Sequence, residues 1–170
     1  MKFQELAEKR YSCRKMSSRK VEKELIDRIV ETGTKAPTAV NMQPVKIFRM
    51  ESEAAKKAVR SATVYTFGAD DFLIVGYRNE DGWVRGYDGR PFADVDAAIV
   101  ATHIMLQIED LGLSTTWVGH FDAPGLRQLC PEMQGYELIA LFPIGYAAED
   151  AKPAPRHFAR KTPEEMTTVL

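Results

Sequence analysis

Residues 94–112 read DVDAAIVATHIMLQIEDLG. Asp94 can cap the start of a helix and Gly112 can end one. Between them Val95, Ala98, Ile99, Ala101, Thr102, Met105, Leu106 and Ile108 leave almost no polar stripe before Gln107. A helix that is apolar most of the way round is buried on most sides. In a chain of 170 residues this predicts a central helix, packed against its own domain and against another subunit as well. Its Ala and Thr positions would permit close helix approach.

Upstream of that helix, Phe3, Leu6 and Ala7 predict a short amphipathic helix up to about Arg10. Val21, Leu25, Ile26, Ile29 and Val30 keep the helical period and predict a second helix ending near Gly33. Val45–Met50 reads as a strand, and Ser52 caps a polar helix over Glu53–Ser61. The continuous apolar run DFLIVGY, 71–77, predicts a central strand covered on both faces. Residues 78–92 hold three Gly and one Pro and read as a loop.

Downstream, STTWVGHF (114–121) gives a strand and an exit loop, DAPGLRQLC (122–130) a short capped helix, and YELIALFPIGY (136–146) a strong strand. Pro153 and Pro155 predict an extended tail. It ends in a capping box made by Thr162 and Glu165, with Pro163 at the first helical position. The expected architecture is α+β: a mixed central sheet covered by helices over residues 1–150, followed by an arm, 151–170, that docks elsewhere.

Composition narrows the function classes. An apolar share of 45% and a charged share of 28% are those of an ordinary soluble globular domain. The net charge of −1 creates no global field for nucleic acid or an anionic membrane. No apolar run approaches the ~18 residues of a membrane span. The charged start, Met1–Tyr11, does not read as a signal peptide, and the only cysteines, Cys13 and Cys130, lack metal-ligand spacing. The expectation is a cytoplasmic protein. No GxGxxG or Walker pattern occurs, which speaks against a Rossmann or P-loop nucleotide site.

Three stretches could carry chemistry. In KRYSCRK, Arg10, Ser12 and Arg14 alternate, so an extended backbone would turn two guanidinium groups and a hydroxyl toward one anion. The bland alternative is a solvated basic segment, because Lys9, Lys15, Arg19 and Lys20 lie alongside. In APTAVNMQPVKIF, residues 36–48, Pro37 and Pro44 frame a stiff connection bearing Thr38, Asn41 and Gln43. It is either a plain helix–strand loop or a set of donors and acceptors for a planar heterocycle. In GLSTTWVGHFD, the main-chain N–H groups around Val118–His120 need a turn or a ligand, and Gly119 admits close approach to the backbone. Trp117 reads as core more readily than as a stacking platform. His103 reads as a satisfied core residue and Cys13 as a buried, inert thiol. No pair among the three histidines has metal spacing.

Together these segments resemble the nitroreductase family of FMN-dependent oxidoreductases, over nearly the whole chain. RYSCRK is similar to its Arg-x-Ser-x-Arg, and APTAVNMQPVKIF to its Ala-Pro-Ser/Thr-x-x-Asn-x-Gln-Pro loop. Residues 94–119 are similar to its long helix followed by Leu-Gly-Leu-x-x-x-Trp-x-Gly, LFPIGY to its last core strand, and ARKTPEEM to its C-terminal Arg-Lys-Pro-Glu-Glu element. The resemblance implies an intertwined homodimer with two FMN sites in the seam. Arg10, Ser12 and Arg14 of one subunit would hold the phosphate, ribityl chain and pyrimidine edge. Pro37, Thr38, Asn41 and Gln43 of the other would complete the pocket. Trp117, Gly119 and His120 would line it, with main-chain donors near Gly119 and His120 facing the ring, and Arg160 or Lys161 would add charge at the phosphate. It further implies a ping-pong oxidoreductase that takes hydride from NAD(P)H and reduces small electrophiles such as nitroaromatics or quinones. The alternatives are a flavin-binding sensor or carrier without turnover, and a relative with divergent flavin chemistry such as dehalogenation or flavin destruction. The chain departs from the pattern in being short, in lacking an Asn and a Lys within Ala62–Asp70, and in inserting Thr162 before Pro163.

Overall fold

The computed structural model describes residues 2–170. In chain order the regular elements are α1 (Phe3–Lys9), α2 (Lys23–Thr34), β1 (Val45–Arg49), α3 (Glu53–Ala62), β2 (Asp71–Tyr77), α4 (Ala93–Asp110), β3 (Ser114–Thr115), α5 (Ala123–Leu129), β4 (Glu137–Gly145) and α6 (Pro163–Met166). The strands form one sheet in the order β1-β2-β4-β3. Every pairing is antiparallel, where a mixed sheet was expected. Long, largely helical excursions between the strands do not require parallel pairing. Here β1 to β2 and β3 to β4 reverse heading, whereas α4 returns the chain to β3 on the heading of β2, with β4 lying between those two strands.

Alternation along β2 builds the layers. Leu73 and Val75 face α2 and α4, where Ile26, Ile29, Val100, Ala101, Ile104 and Ile108 meet Phe142 and Ile144 of β4. Phe72 and Ile74 face the other way, onto Ala58 and Val59 of α3, Leu126 of α5 and Met133. Phe72 to Gly76 is therefore buried on both sides, as the unbroken apolar run predicts. Gly33 lies inside the last turn of α2 rather than beyond it. A Cβ there would stand 2.8 Å from Ile47 Cδ1 and 3.1 Å from Ile104 Cγ1, so its value is close packing of α2 on β1 and α4.

The helix ends follow their local chemistry. Ser52 accepts from Ala55 N–H at the start of α3, and Asp122 from Gly125 N–H at the start of α5. α4 begins two residues earlier than Asp94 would set it: Phe92 is the N-cap, and Asp94 and Asp96 sit in the first turn, where a carboxylate favours the helix N-terminus. At the far end Leu113 N–H donates to Ile108 O, and Gly112 N–H to Glu109 O, with Gly112 at φ 74°. This is a Schellman ending, which needs a left-handed residue there.

α4 is buried on one face only, through Ala93, Asp96, Ala97, Val100, Ala101, Ile104, Ile108 and Glu109. Its other face, with Val95, Ala98, Ile99, His103 and Leu106 half-buried and Thr102 exposed, is not closed by this chain. His103 turns back on the helix, Nδ1–H donating to Ile99 O at 2.9 Å, rather than entering the core. Beyond Ala151 the tail stays partly packed through Pro153, Ala154 and His157. Lys15 and Asp150 pair at 2.5 Å, and the His157 ring meets Tyr11 edge-on at 6.4 Å. From Arg160 every residue is exposed, and α6 is held by its own capping box. No helix among the described residues is long and apolar enough to cross a membrane.

Candidate functional site

The basic segment behind α1 is extended and runs beside β3. Cys13 N–H donates to Thr115 O at 3.0 Å, and Thr116 Oγ1 donates to Cys13 O at 2.5 Å. That pairing turns Cys13 fully inward and leaves Ser12 half-buried and Arg14 exposed, the alternation the sequence predicts. Arg14 Nη1–H donates to Ser12 O at 3.2 Å, which keeps the guanidinium beside the segment. The Cys13 thiol donates to Lys15 O at 3.3 Å and is buried, consistent with an inert thiol. Tyr11 has its phenol pushed up to about 12, first by burial and then by its hydrogen bond with Cys13.

Arg10 is half-buried. Its guanidinium is held below the ordinary arginine value first by burial and then by repulsion from Arg160, with Glu109 opposing. The structure thus brings the C-terminal Arg160 to Arg10 within one chain. Among the described residues neither has a carboxylate within salt-bridge distance, since Glu109 pairs instead with Lys9 at 3.6 Å. Lys161, next to Arg160 in the chain, is exposed. Two mutually repelling cations, one of them partly desolvated, form a ready anion site.

The exit from β3 adds main-chain donors. Val118 N–H needs neither a turn nor a ligand: it pairs across strands with Leu141 O at 2.9 Å and the reverse bond closes at 3.0 Å, which corrects the expectation for this one of the three groups. The N–H groups of Gly119 and His120 donate to no group among the described residues, and nothing lies within 4 Å of where a Gly119 Cβ would be. His120 O accepts from Thr63 Oγ1 at 2.8 Å, and Tyr65 lies edge-on to the His120 ring at 5.8 Å. Thr63 and Tyr65 were not legible as site residues, because nothing in their local sequence says that residues 63–65 fold against residue 120. Trp117 is packed into the core, its indole edge-on to Phe142 at 5.5 Å.

The amide-bearing loop sits elsewhere. Pro37 is exposed, Thr38 is half-buried, and Asn41 and Gln43 are exposed. Val40, Asn41 and Gln43 all have left-handed backbone, φ 49°, 58° and 53°. For a β-branched residue this is a real outlier, costing on the order of 1–3 kcal/mol. Thr38 Oγ1 accepts from Gln43 N–H at 3.0 Å, and Asp96 Oδ1 accepts from Ala39 N–H at 2.8 Å. Gln43 Nε2 donates to Asn41 O at 3.3 Å.

Asp96 fixes this loop at the start of α4. Glu109, against Lys9 and Arg10, lies thirteen residues on, roughly 20 Å along the helix axis at 1.5 Å per residue. Arg10, Ser12, Arg14 and Arg160 gather with the strand leading to Gly119 and His120 at one end of α4. Pro37, Thr38, Asn41 and Gln43 gather at the other.

The profile of the Nitroreductase family matches residues 7–67 and 64–146. The chain belongs to the nitroreductase family. A nitroreductase family protein from Clostridium difficile 630 has 31% identity and a TM-score of 0.90, over 99% of this chain and 98% of that one. An Exiguobacterium sibiricum protein solved in complex with FMN shares the fold at a TM-score of 0.82 and 20% identity, over 100% of this chain and 98% of its own. A Staphylococcus aureus (strain MRSA252) NADPH-dependent oxidoreductase is 25% identical over 164 residues, 85% of this chain but 64% of that protein. More than a third of that relative's length therefore has no counterpart in this nitroreductase-family chain.

Proposed function

We propose that this chain is an FMN-dependent NAD(P)H oxidoreductase that works as a homodimer and reduces small electrophiles such as nitroaromatics or quinones by a ping-pong cycle. The observation that carries this reading is the separation of the two half-sites by the length of α4, whose outward face is largely apolar and only half-buried. Two copies packed with their α4 helices antiparallel would bring the Arg10 end of one against the Asn41 end of the other, twice. The arm, 151–170, exposed throughout from Arg160, would then lie on the second copy.

The residues present fit the cofactor. Arg10 and Arg160 would hold the phosphate, with Lys161 adding charge nearby. Ser12 would meet the ribityl chain, and Arg14 would place a guanidinium where negative charge develops on the reduced ring. The free N–H groups of Gly119 and His120 would donate to the ring edge. Thr38, Asn41 and Gln43 of the second copy would offer amide and hydroxyl groups, with Pro37 and Trp117 stiffening the walls. When bound, FMN supplies two-electron chemistry between NAD(P)H and the acceptor. NAD(P)H then needs no resident dinucleotide fold, which accords with the lack of a GxGxxG motif.

An absorption spectrum of the purified protein, before and after anaerobic NADH and NADPH, tests cofactor and reductant together. The expected result is a yellow protein bleached by at least one of them; a protein that stays colourless after incubation with FMN would overturn the reading. Mixing subunits tests the shared site. Homodimers of Arg10→Ala and of Asn41→Ala should both bind FMN poorly, while each mixed dimer regains one intact site. No recovery on mixing would mean that the two half-sites do not meet across copies.

A further inference from the structure

Asp96 is 2% exposed, yet its carboxylate makes a single hydrogen bond, and Oδ2 has no partner among the described residues. A buried carboxylate with an unpaired oxygen is costly even with the helix N-terminus beside it. Apolar packing would serve stability better at this position, where Ala93, Ala97 and Val100 share its face. What the carboxylate does is reach a loop 57 residues away in sequence and take the Ala39 N–H at 2.8 Å. That bond falls immediately before the left-handed residues. Val40, the first of these residues, is 75% exposed, so packing of its side chain does not hold its φ of 49°. The Thr38 hydroxyl ties the far end through Gln43 N–H. Two turn bonds also span Val40, Asn41 N–H to Thr38 O at 3.0 Å and Met42 N–H to Ala39 O at 3.1 Å. Both lie within the loop, and of the bonds named here only Asp96 ties it to α4. Freed at Ala39, the loop would let Val40 relax and shift Asn41.

We propose that Asp96 is the positioning residue for the amide-bearing loop: by accepting the Ala39 N–H it holds the turn in which Val40, Asn41 and Gln43 are left-handed and Asn41 and Gln43 are presented, and so sets FMN affinity without touching the ligand. The FMN part rests on the function proposed above; the loop-holding part does not. The bond requires an acceptor oxygen at Oδ1, which Asn also supplies, so Asp96→Asn and Asp96→Ala separate placement from simple loss of side chain.

Two readouts on the full chain test this. Amide exchange at Ala39, measured on the protein without added flavin, should accelerate strongly in Asp96→Ala and stay near the parent rate in Asp96→Asn. FMN titration should show Kd raised roughly tenfold in Asp96→Ala and within about threefold of the parent in Asp96→Asn. Adding Val40→Gly to Asp96→Ala should recover much of the affinity, since Gly adopts the left-handed backbone without strain. Unchanged Ala39 exchange in Asp96→Ala would overturn the loop-holding role. An affinity loss that Val40→Gly leaves untouched would reduce Asp96 to a core residue, and a tenfold loss in Asp96→Asn would overturn the claim on its own, even if Asp96→Ala fails to fold. If the parent protein binds no FMN, the function reading falls, while the Ala39 exchange still decides what Asp96 does.

Discussion

Replacing Arg10 by Gln should move folding and flavin binding in opposite directions. In the protein without ligand Arg10 is partly buried, faces Arg160 and has no carboxylate within salt-bridge distance among the described residues. Burial and like-charge repulsion both oppose its charge, so Arg10→Gln should leave the melting temperature unchanged or raise it. With a phosphate dianion between the two guanidiniums the sign reverses. A charge-assisted hydrogen bond is worth about 1.5–3 kcal/mol, and the half-exposed setting favours the lower figure, so FMN Kd should rise roughly tenfold. Riboflavin has the same ring and ribityl chain but no phosphate, and its Kd should hardly change. The salt dependence of FMN binding should also weaken, because one cation fewer faces the anion. Fluorescence titrations with both ligands at two ionic strengths, paired with thermal unfolding of the apoprotein, read all of this. Equal losses for FMN and riboflavin, or a melting temperature several degrees lower, would refute the phosphate role.

Three further outcomes are expected. Glu22 accepts from Tyr146 Oη at 2.6 Å, and that bond first, then its backbone and Arg19, holds its carboxyl at about 2, below the ordinary 4.5. A folded value below the unfolded one gives stability that is full above about 4.5 and lost as pH falls through about 2; in Tyr146→Phe the Glu22 carboxyl should titrate higher by NMR, and an unmoved titration would remove Tyr146 as the cause. Gly33→Ala gains about 1 kcal/mol of helix propensity but meets Ile47 and Ile104, where overpacking costs about 1–3 kcal/mol, so denaturant unfolding should show a net loss; a stabilised variant would contradict the packing role. Ile104→Ala, fully buried between α4 and the sheet, should cost about 2–5 kcal/mol by the same assay, and a loss below 1 would mean the core collapses around the gap.

Local pattern made much of this molecule legible. The period along residues 94–112, the apolar run at 71–77, the Ser52 and Asp122 caps and the Thr162–Glu165 box are all properties of neighbouring residues, and the structure places them where the pattern does. The extended alternation at Arg10–Arg14 was equally readable, because period two is set by the backbone. What escaped were long-range partners. The antiparallel pairing of every neighbouring strand, the pairing of Val118 with Leu141 and the tie from Thr63 to His120 each depend on a second segment arriving from elsewhere in the chain. Asp96 shows the difference most clearly: within its helix it is one acidic residue in the first turn, and only the fold reveals that it faces Ala39.

The sequence by itself determined the elements, the family pattern and the chemical types available to a site, since these follow from side-chain period and capping within a few residues. Tertiary structure alone decided that the arginines and the amides stand at opposite ends of α4, because that distance is set by a helix whose two ends touch segments distant in sequence.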